Sequence, residues 1–376
     1  MTDVEGFRLI DHHCHGVVRS DLDLTGFENL IAESSDPPPL GTSRFDSPLG
    51  LAVRRWCAPV LGLEPFPSPE EYVARRAEMG ADEVARSFLM EAGLGSLLID
   101  TGYRSEELHD PKAMHRLAEV PVHEIVRLEA VAEAVAASGV DASSYPNVYR
   151  QTLETSSSEA VGFKTIVAYR GGFSFEPEEP TDAEVVRAAG TFLEAAASGH
   201  PRLADPVLLR FGIWSGARLA RERGLPVQFH SGWGDADLDL HLSNPTLLTE
   251  LIRRLDHLGV NVVFLHCYPF HRDAAYLSSV YGNVYFDVGS ALHYHGPSSA
   301  RLLAEAMEVA PFSKLLFSSD AFGLAEQYHL GALLFRRALR EVLDRWIEAD
   351  HCDAATAERI AEGIARRNAL RIYNLS

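Results

Sequence analysis

The sequence predicts an α/β protein, a closed (β/α)8 TIM barrel with a helical insertion after its first strand. Short β-rich runs alternate with amphipathic helical stretches along the whole chain, which is the pattern of a parallel sheet covered by helices. Eight such runs occur in succession, and eight β/α units favour a closed barrel over an open sheet. The runs are residues 8–15, 96–101, 123–128, 161–169, 226–230, 261–266, 283–288 and 314–319.

Two connections are longer than a simple return from one strand to the next. Residues 17–95 separate the first two runs and contain a helical segment, 68–92, with Pro69 near its first helical position. We expect this segment to form a helical insertion over the barrel mouth or a dimerisation element. Residues 131–160 follow the third run. Without an internal repeat, residues 1–376 are predicted to form one domain.

Composition narrows the class of protein. The 376 residues are 46% apolar and 23% charged, so a large core can be buried. With 34 Lys and Arg against 53 Asp and Glu, the net charge of −19 argues against binding to nucleic acid or to a membrane. The four cysteines show no C-x-x-C spacing, and the N-terminus lacks a basic stretch followed by an apolar run. We expect a cytoplasmic protein that acts on a small molecule; homo-oligomer formation is left open.

The first run ends in two histidines spaced for a shared ligand. Residues i and i+2 of a strand face the same side, so His13 and His15 can present two ring nitrogens to one metal ion, while His12 and Cys14 point away. The spacing alone is weak evidence, because 16 histidines in this chain give such a pair by chance roughly once. A second H-x-H, at 293–295, lies in a Gly/Pro-flanked loop that could line the substrate or face solvent. We therefore place the metal at the first pair.

Three later runs end in residues that can complete this site. His230 ends the fifth run, His266 ends the sixth and Asp320 follows the eighth, all at the strand ends where barrel active sites are built. Singly, each has a structural alternative, such as a core histidine or a helix N-cap. Together they predict a site for a catalytic divalent ion that keeps one position open for water. Zinc is the expected ion because it accepts this mixture of nitrogen and oxygen ligands. Asp320 would both bind the ion and transfer the proton.

The order of these residues resembles that of the amidohydrolase superfamily over nearly the whole chain. The residues on which this resemblance rests are Asp11-x-His13-x-His15, His230, His266 and Asp320. The chain is most similar to the amidohydrolase-2 branch, in particular to the nodulin-like domain that is fused to glutamine synthetase in some eukaryotes. The similar stretches are 162–170 (GFKTIVAYR), 230–235 (HSGWGD), 238–240, 242–245 and 275–277. The resemblance implies a hydrolase that cleaves a C–N amide bond, such as a γ-glutamyl or N-acyl amide, with Asp320 protonating the departing amine.

Lys164 decides between one ion and two. Its surroundings also resemble the strand-four segment of hydantoinase-like members, in which the lysine is carboxylated and bridges two ions. A dry barrel interior and adjacent metals favour the unprotonated amine that a carbamate requires. The alternative for Lys164 is a buried ion pair with a strand-three carboxylate such as Glu129. With the carbamate, the implied ligands are His13, His15 and Asp320 for one ion and His230 and His266 for the other. Without it, the implied ligands of a single ion are His13, His15, His230 and Asp320, and His266 polarises the substrate.

The substrate contacts are predicted from the loops around these strand ends. Arg127 and Arg170 could each form a bidentate hydrogen-bonded pair with a substrate carboxylate, because the guanidinium group has the geometry for it. The alternative is that either arginine has a structural role. The other predicted pocket residues are Trp233, Asp235, Tyr294 and Tyr328. The same branch also resembles metal-dependent decarboxylases and uronate isomerases. A decarboxylase or isomerase of a small carboxylate is therefore the alternative function.

Overall fold

A curled parallel sheet forms the centre of the protein. The computed structural model describes residues 2–4, 6–197, 199 and 202–375. In this part of the chain the sheet has seven strands, whose spatial order follows their order in sequence. Each strand overlaps one of the first seven predicted runs. They are β1 (Leu9–Cys14), β2 (Leu94–Asp100), β3 (Val122–Arg127), β4 (Gly162–Thr165), β5 (Val227–Ser231), β6 (Val262–His266) and β7 (Val284–Phe286).

The eighth predicted run, 314–319, is not a regular strand. The Leu316 N–H donates to the Phe286 carbonyl of β7 at 3.0 Å, and the His12 N–H of β1 donates to the Phe317 carbonyl at 3.3 Å. The Ser319 N–H bonds the Asp11 carboxylate at 2.9 Å instead of a strand carbonyl, so the ladder is interrupted there. The run thus bridges β7 and β1 with few backbone bonds. The result is a TIM-barrel-like α/β fold.

Helices occupy the connections between the strands. Before the sheet's second strand the helices are α1 (Leu24–Leu30), α2 (Pro48–Ala52), α3 (Pro69–Met79) and α4 (Ala81–Glu91). Through β5 they are α5 (Pro111–Ala118), α6 (Leu128–Ala137), α7 (Tyr145–Ser156), α8 (Asp182–Ala196) and α9 (Pro206–Arg223). The rest are α10 (Thr249–Leu258), α11 (His271–Val280), α12 (Ala291–His295), α13 (Ser299–Met307), α14 (Ala325–Glu348), α15 (Ala354–Glu362) and α16 (Asn368–Ile372). None of the described helices is long and apolar enough to cross a membrane.

The predicted single helix at 68–92 is two helices, α3 and α4. Ser68 caps α3 by accepting a hydrogen bond from the Glu71 N–H, and Pro69 stands at the first helical position, as the sequence predicts. Gly80 between the helices adopts φ 82° and ψ 151°. A side chain disfavours this backbone conformation, so glycine divides the helical run.

Apart from the first half of β3, the strands are largely buried on both faces, and their two faces pack into different clusters. A large apolar cluster joins the sheet to the surrounding helices. A smaller, separate cluster takes residues from several strands and from the C-terminal end of the chain. Its members include Ile10, Leu98, Ile125, Val263, Leu265, Ile372 and Tyr373. The Tyr373 ring lies near Gly162 at the start of β4. The C-terminal residues therefore fill the sheet interior at the amino ends of the strands and leave the carboxyl ends for the polar side chains.

Candidate active site

Histidines from two strand ends meet Asp320 at the carboxyl end of the sheet. Asp320 Oδ1 lies 3.3 Å from His13 Nε2 and 3.7 Å from His15 Nε2, and its Oδ2 lies 3.1 Å from His266 Nδ1. His13, His266 and Asp320 form one group whose possible ligand atoms all lie within 4.8 Å of one another. The structure thus brings together the ends of β1 and β6 and the segment after the eighth run, as the sequence predicts.

His230 and Lys164 stand beside this group. The His230 ring centroid is 4.6 Å from that of His266, and its buried Nε2 has no hydrogen-bond partner among the described residues. Lys164 Nζ lies 3.0 Å from His13 Nε2. Lys164 forms an ion pair with Asp100 at 4.0 Å, whereas Glu129 accepts hydrogen bonds from Thr165 and the Ile166 N–H. The suggested pairing with Glu129 is therefore wrong; the paired carboxylate comes from β2.

Asp100 is a site residue that the sequence analysis missed. With His13 and His15 it forms a second group whose ligand atoms lie within 4.8 Å. Arg127 forks onto its carboxylate, with Nη2 at 2.6 Å and Nε at 3.0 Å from Oδ2. Burial would raise the pKa of Asp100, but Arg127, His15 and Lys164 bring that pKa below its usual range. Its place at the end of the second predicted run was the signal that could have identified it.

The backbone at the site is held in a strained conformation. His266, Asp320 and Ser290 have φ values of 68°, 51° and 57°, in the left-handed region that side chains rarely adopt. Such residues cost on the order of 1–3 kcal/mol each and cluster at functional sites. The Asp287 carboxylate accepts from the His266 N–H at 2.9 Å, and the Asp320 N–H donates to the His13 carbonyl at 3.1 Å. These bonds hold the strained residues in place.

Burial keeps the histidines neutral. It lowers the pKa values of His13, His230 and His266 well below the usual range, and Lys164 adds to each decrease. Burial lowers the pKa of His15 to about 4 and that of Lys164 to about 8. The neutral imidazole is the form that binds metals.

The residues fit a divalent ion. His266 Nδ1 and Asp320 Oδ2 are close enough to bond, yet this buried nitrogen has no hydrogen bond of acceptable geometry among the described residues. Burial raises the pKa of Asp320 well above its usual range, and Lys164 opposes that shift only in part. A cation between the imidazoles and the carboxylate would satisfy both.

A cavity of about 250 Å³ opens above this group. Of the predicted substrate residues, Arg127, Arg170, Trp233 and Asp235 line it. Both arginines have a carboxylate partner, Asp100 for Arg127 and Glu133 for Arg170, but the buried Arg170 Nε has no hydrogen-bond partner among the described residues. The lining residues that the sequence analysis did not assign include Glu33, Tyr103, Tyr169, Arg202 and Asp237.

Two predicted substrate residues lie behind the cavity wall. Tyr294 packs against Trp233, with ring centroids 5.3 Å apart. Tyr328 is fully buried in α14, and its hydroxyl donates to the His15 carbonyl, so its prediction as a pocket residue is wrong. Tyr328 supports the end of β1 instead. The histidines of the second H-x-H, at 293–295, lie on α12 and belong to neither group of possible ligands.

His12 points away from the ion site, as predicted from strand alternation. Its Nε2 lies 2.9 Å from the Asp287 carboxylate and its Nδ1 lies 3.0 Å from the Tyr373 hydroxyl. Gln228 of β5 donates to the same hydroxyl at 2.8 Å. A buried polar network thus links β1, β5, the end of the chain and the loop that fixes His266.

Comparison with known proteins identifies the family. Residues 141–375 match a family model described as Amidohydrolase, Amidohydro_2. The chain belongs to this amidohydrolase family. The match includes His230, His266 and Asp320, and it confirms the resemblance drawn from the sequence.

Individual relatives agree with this membership. The chain is 27% identical to protein fluG of Emericella nidulans over 98% of its own length but only 46% of fluG, so it spans about half of that relative. It is also similar to a candidate metal-dependent hydrolase from Lactobacillus casei, with 28% identity, a TM-score of 0.85, and coverage of 99% of this chain and 96% of that one. The family match, the similar structure from Lactobacillus casei and the clustered possible metal ligands together support a metal-dependent hydrolase.

More distant structures share the fold. The glucuronate isomerase of Caulobacter crescentus is 15% identical, with a TM-score of 0.66 over 99% of this chain and 92% of that one. The uronate isomerase of Thermotoga maritima is 14% identical, with a TM-score of 0.62 over 98% of this chain and 95% of that one. At these identities the likeness concerns the barrel-like architecture alone.

Proposed function

We propose that this amidohydrolase hydrolyses the C–N amide bond of a small molecule that carries a carboxylate, such as a γ-glutamyl or N-acyl amide. The observation that carries the proposal is the group of His13, His266 and Asp320 at the floor of a polar cavity. Neutral imidazoles and a carboxylate within 4.8 Å of one another are the donors that a hydrolytic divalent ion requires. Arg170 supplies a positive charge on the same cavity wall.

The ion would be held by residues from four parts of the barrel. The proposed ligands are His13, His15, His230, His266 and Asp320, with Lys164 between two ions if it is carboxylated. Zinc is the proposed metal because it accepts this mixture of nitrogen and oxygen ligands. When bound, such an ion polarises the scissile carbonyl and makes water a stronger nucleophile at neutral pH.

The chain's own residues would orient the substrate and move the proton. Asp320 would take a proton from water on its carboxylate and deliver it to the departing nitrogen. His266, whose Nδ1 is 3.1 Å from that carboxylate, would fix its orientation. Arg170, with an unpartnered Nε, would bind the substrate carboxylate. Glu33 comes from the 17–95 connection and lines the cavity, which supports a role of that connection over the mouth.

The test is a panel of N-acyl and γ-glutamyl amides with zinc-replete protein, in which free amine and free acid are both measured. Asp320→Asn should lower kcat by at least 10²-fold, because general acid–base catalysis contributes about 10²–10⁴-fold. Metal content is measured in parallel to separate loss of the ion from loss of the proton carrier. Asp256→Asn, an exposed aspartate on α10, is the matched control and should keep wild-type turnover.

Other products would identify another reaction. Release of carbon dioxide would indicate decarboxylation, and a product of unchanged mass would indicate isomerisation. Full amide turnover by Asp320→Asn would remove Asp320 from the mechanism.

A further inference from the structure

One carboxylate in the cavity has no charge partner. Glu33 follows α1 in the connection between β1 and β2 and lines the cavity with Trp233 and Asp235. No lysine or arginine among the described residues forms an ion pair with it. Asp237 on the same wall differs, because Arg202 pairs with it at 3.1 Å. Glu33 is therefore an uncompensated acid of this cavity, and Asp235 likewise forms no ion pair with a lysine or arginine among the described residues.

The surroundings of Glu33 disfavour an isolated negative charge. Burial raises the pKa of Glu33 to about 7, and the nearby Asp235 carboxylate adds to that rise. The Tyr294 hydroxyl and the Trp233 indole N–H face the carboxylate and oppose the shift. Neither donor has a hydrogen bond of ordinary geometry among the described residues. A cation against Glu33 would remove most of this electrostatic cost.

Aromatic rings surround the same space. Trp233 and Tyr103 both line the cavity, and Trp233 packs on Tyr294 with ring centroids 5.3 Å apart. The face of an indole or phenol ring attracts an ammonium group, most strongly where water is excluded. Carboxylates combined with aromatic faces are thus suited to a protonated amine.

Positive side chains line another part of the same cavity. Arg127 and Arg170 come from β3 and the end of the β4 segment, and both contribute to the lining. Glu33 and Asp235 instead come from the 17–95 connection and the loop after β5. The cavity therefore presents arginines and uncompensated acidic groups from different parts of the barrel, an arrangement that matches a ligand with charges of both signs.

We propose that Glu33, with Asp235 and Trp233, binds a protonated amine of the substrate. The substrate class is then an amide that bears an ammonium group as well as a carboxylate, rather than a simple N-acyl amide. This inference rests on the proposed amide hydrolysis and names the substrate of that same site. A γ-glutamyl amide has the required charges.

Two matched substrates measure the contribution of the ammonium group to turnover. Zinc-replete enzyme is assayed with γ-L-glutamyl-p-nitroanilide and with glutaryl-p-nitroanilide, which lacks only the amino group. We expect wild-type kcat/KM to be about 10-fold or more higher for the first compound, as expected for a bond between charged groups. Glu33→Gln should abolish that preference by lowering kcat/KM for the γ-glutamyl compound. Glu64→Gln, an exposed glutamate of the same connection, should retain the preference.

A binding measurement separates this inference from the proposed reaction. Calorimetry with L-glutamate and with glutarate uses the same zinc-replete proteins and needs no turnover. Glutamate binding that is tighter than glutarate binding, and that Glu33→Gln weakens selectively, supports the subsite even if neither anilide is hydrolysed. Hydrolysis of both anilides with a preference that survives Glu33→Gln overturns the subsite and leaves amide hydrolysis standing.

A second variant covers a failure of Glu33→Gln to fold. Glu33→Asp moves the carboxylate back by one methylene and keeps its charge. It should weaken binding of L-glutamate more than that of glutarate. Equal effects on the two ligands, or none on either, would overturn the subsite.

Discussion

The two arginines predicted to contact substrate differ in the partners that hold them. Arg127 is enclosed with Asp100, whose side chain is 0% exposed, whereas the Glu133 partner of Arg170 is 26% exposed. Removal of one member of a buried ion pair costs about 3–5 kcal/mol, because the other charge stays buried. A pair that reaches solvent contributes about 1 kcal/mol or less.

We therefore predict that Arg127→Met lowers the free energy of unfolding by about 3–5 kcal/mol. Arg170→Met should lower it by about 1 kcal/mol or less and should mainly raise KM for a carboxylate-bearing amide. Urea unfolding and steady-state kinetics check both variants. Equal losses of stability would contradict the distinction between a structural and a substrate-binding arginine.

At the same scale, local spacing identified the histidines but not every acid. His13 and His15 were predictable because strand alternation turns them to one side and because the pair ends an apolar run, unlike the second H-x-H. Asp100 could have been identified from its place at a strand end. Glu33 could not, because its place in the cavity depends on the 17–95 connection folding back toward the loop of Trp233. No pattern around residue 33 carries that information.

At the scale of elements, Gly80 decides how the chain runs between β1 and β2. Its φ of 82° and ψ of 151° lie in a region that is accessible essentially to glycine alone, and a Cβ added there would meet no atom within 4 Å. Gly80→Ala should therefore lower the free energy of unfolding by about 1–3 kcal/mol through backbone strain alone. Thermal or urea unfolding measures the change.

Gly282→Ala is the matched control, since a Cβ there also meets no atom within 4 Å and its backbone is not left-handed. We expect the free energy of unfolding of Gly282→Ala to differ from that of the wild type by less than about 0.5 kcal/mol. A similar loss in both variants would show that lost glycine contacts, and not the backbone angle, explain the effect.

Strands were predictable where an apolar run forms a regular ladder of backbone hydrogen bonds. They were less predictable where side chains from elsewhere in the chain replace those bonds. The seven strands lie at apolar runs that a parallel sheet requires. The run at 314–319 has the same composition, but Ser319 donates its N–H to Asp11 and Asp320 turns into the left-handed region. At these residues the hydrogen bond to Asp11 and the turn at Asp320 replace the regular strand that the composition favours.

At the scale of the whole molecule, the barrel brings together residues that are more than 300 positions apart. Asp320 reaches His13 because the eighth run lies beside β1, and the Asp320 N–H donates to the His13 carbonyl. Alternation of strands and helices predicts this closure, since the carboxyl ends of all strands meet at one rim. Distances between ligands depend on the strained turns at His266 and Asp320, which no local pattern specifies.

Metal binding should consequently stabilise the whole fold, because the ligands converge only when the barrel is closed. An ion that binds only the folded state at 100 times its Kd adds about 2.7 kcal/mol. For a chain of this length that corresponds to a rise in Tm of about 3 °C. We predict that zinc produces such a shift in chelator-treated wild-type protein, measured by scanning calorimetry.

The two H-x-H pairs provide the control for this prediction. His13→Gln and Asp320→Asn should each lose most of the zinc-induced shift, since each removes a member of the clustered group. His295→Gln should keep the full shift, because His295 bonds the Ala291 carbonyl at 2.7 Å on α12 and lies outside both groups of possible ligands. A shift that survived in His13→Gln but vanished in His295→Gln would place the ion at the second pair and overturn the assignment of the site to the end of β1.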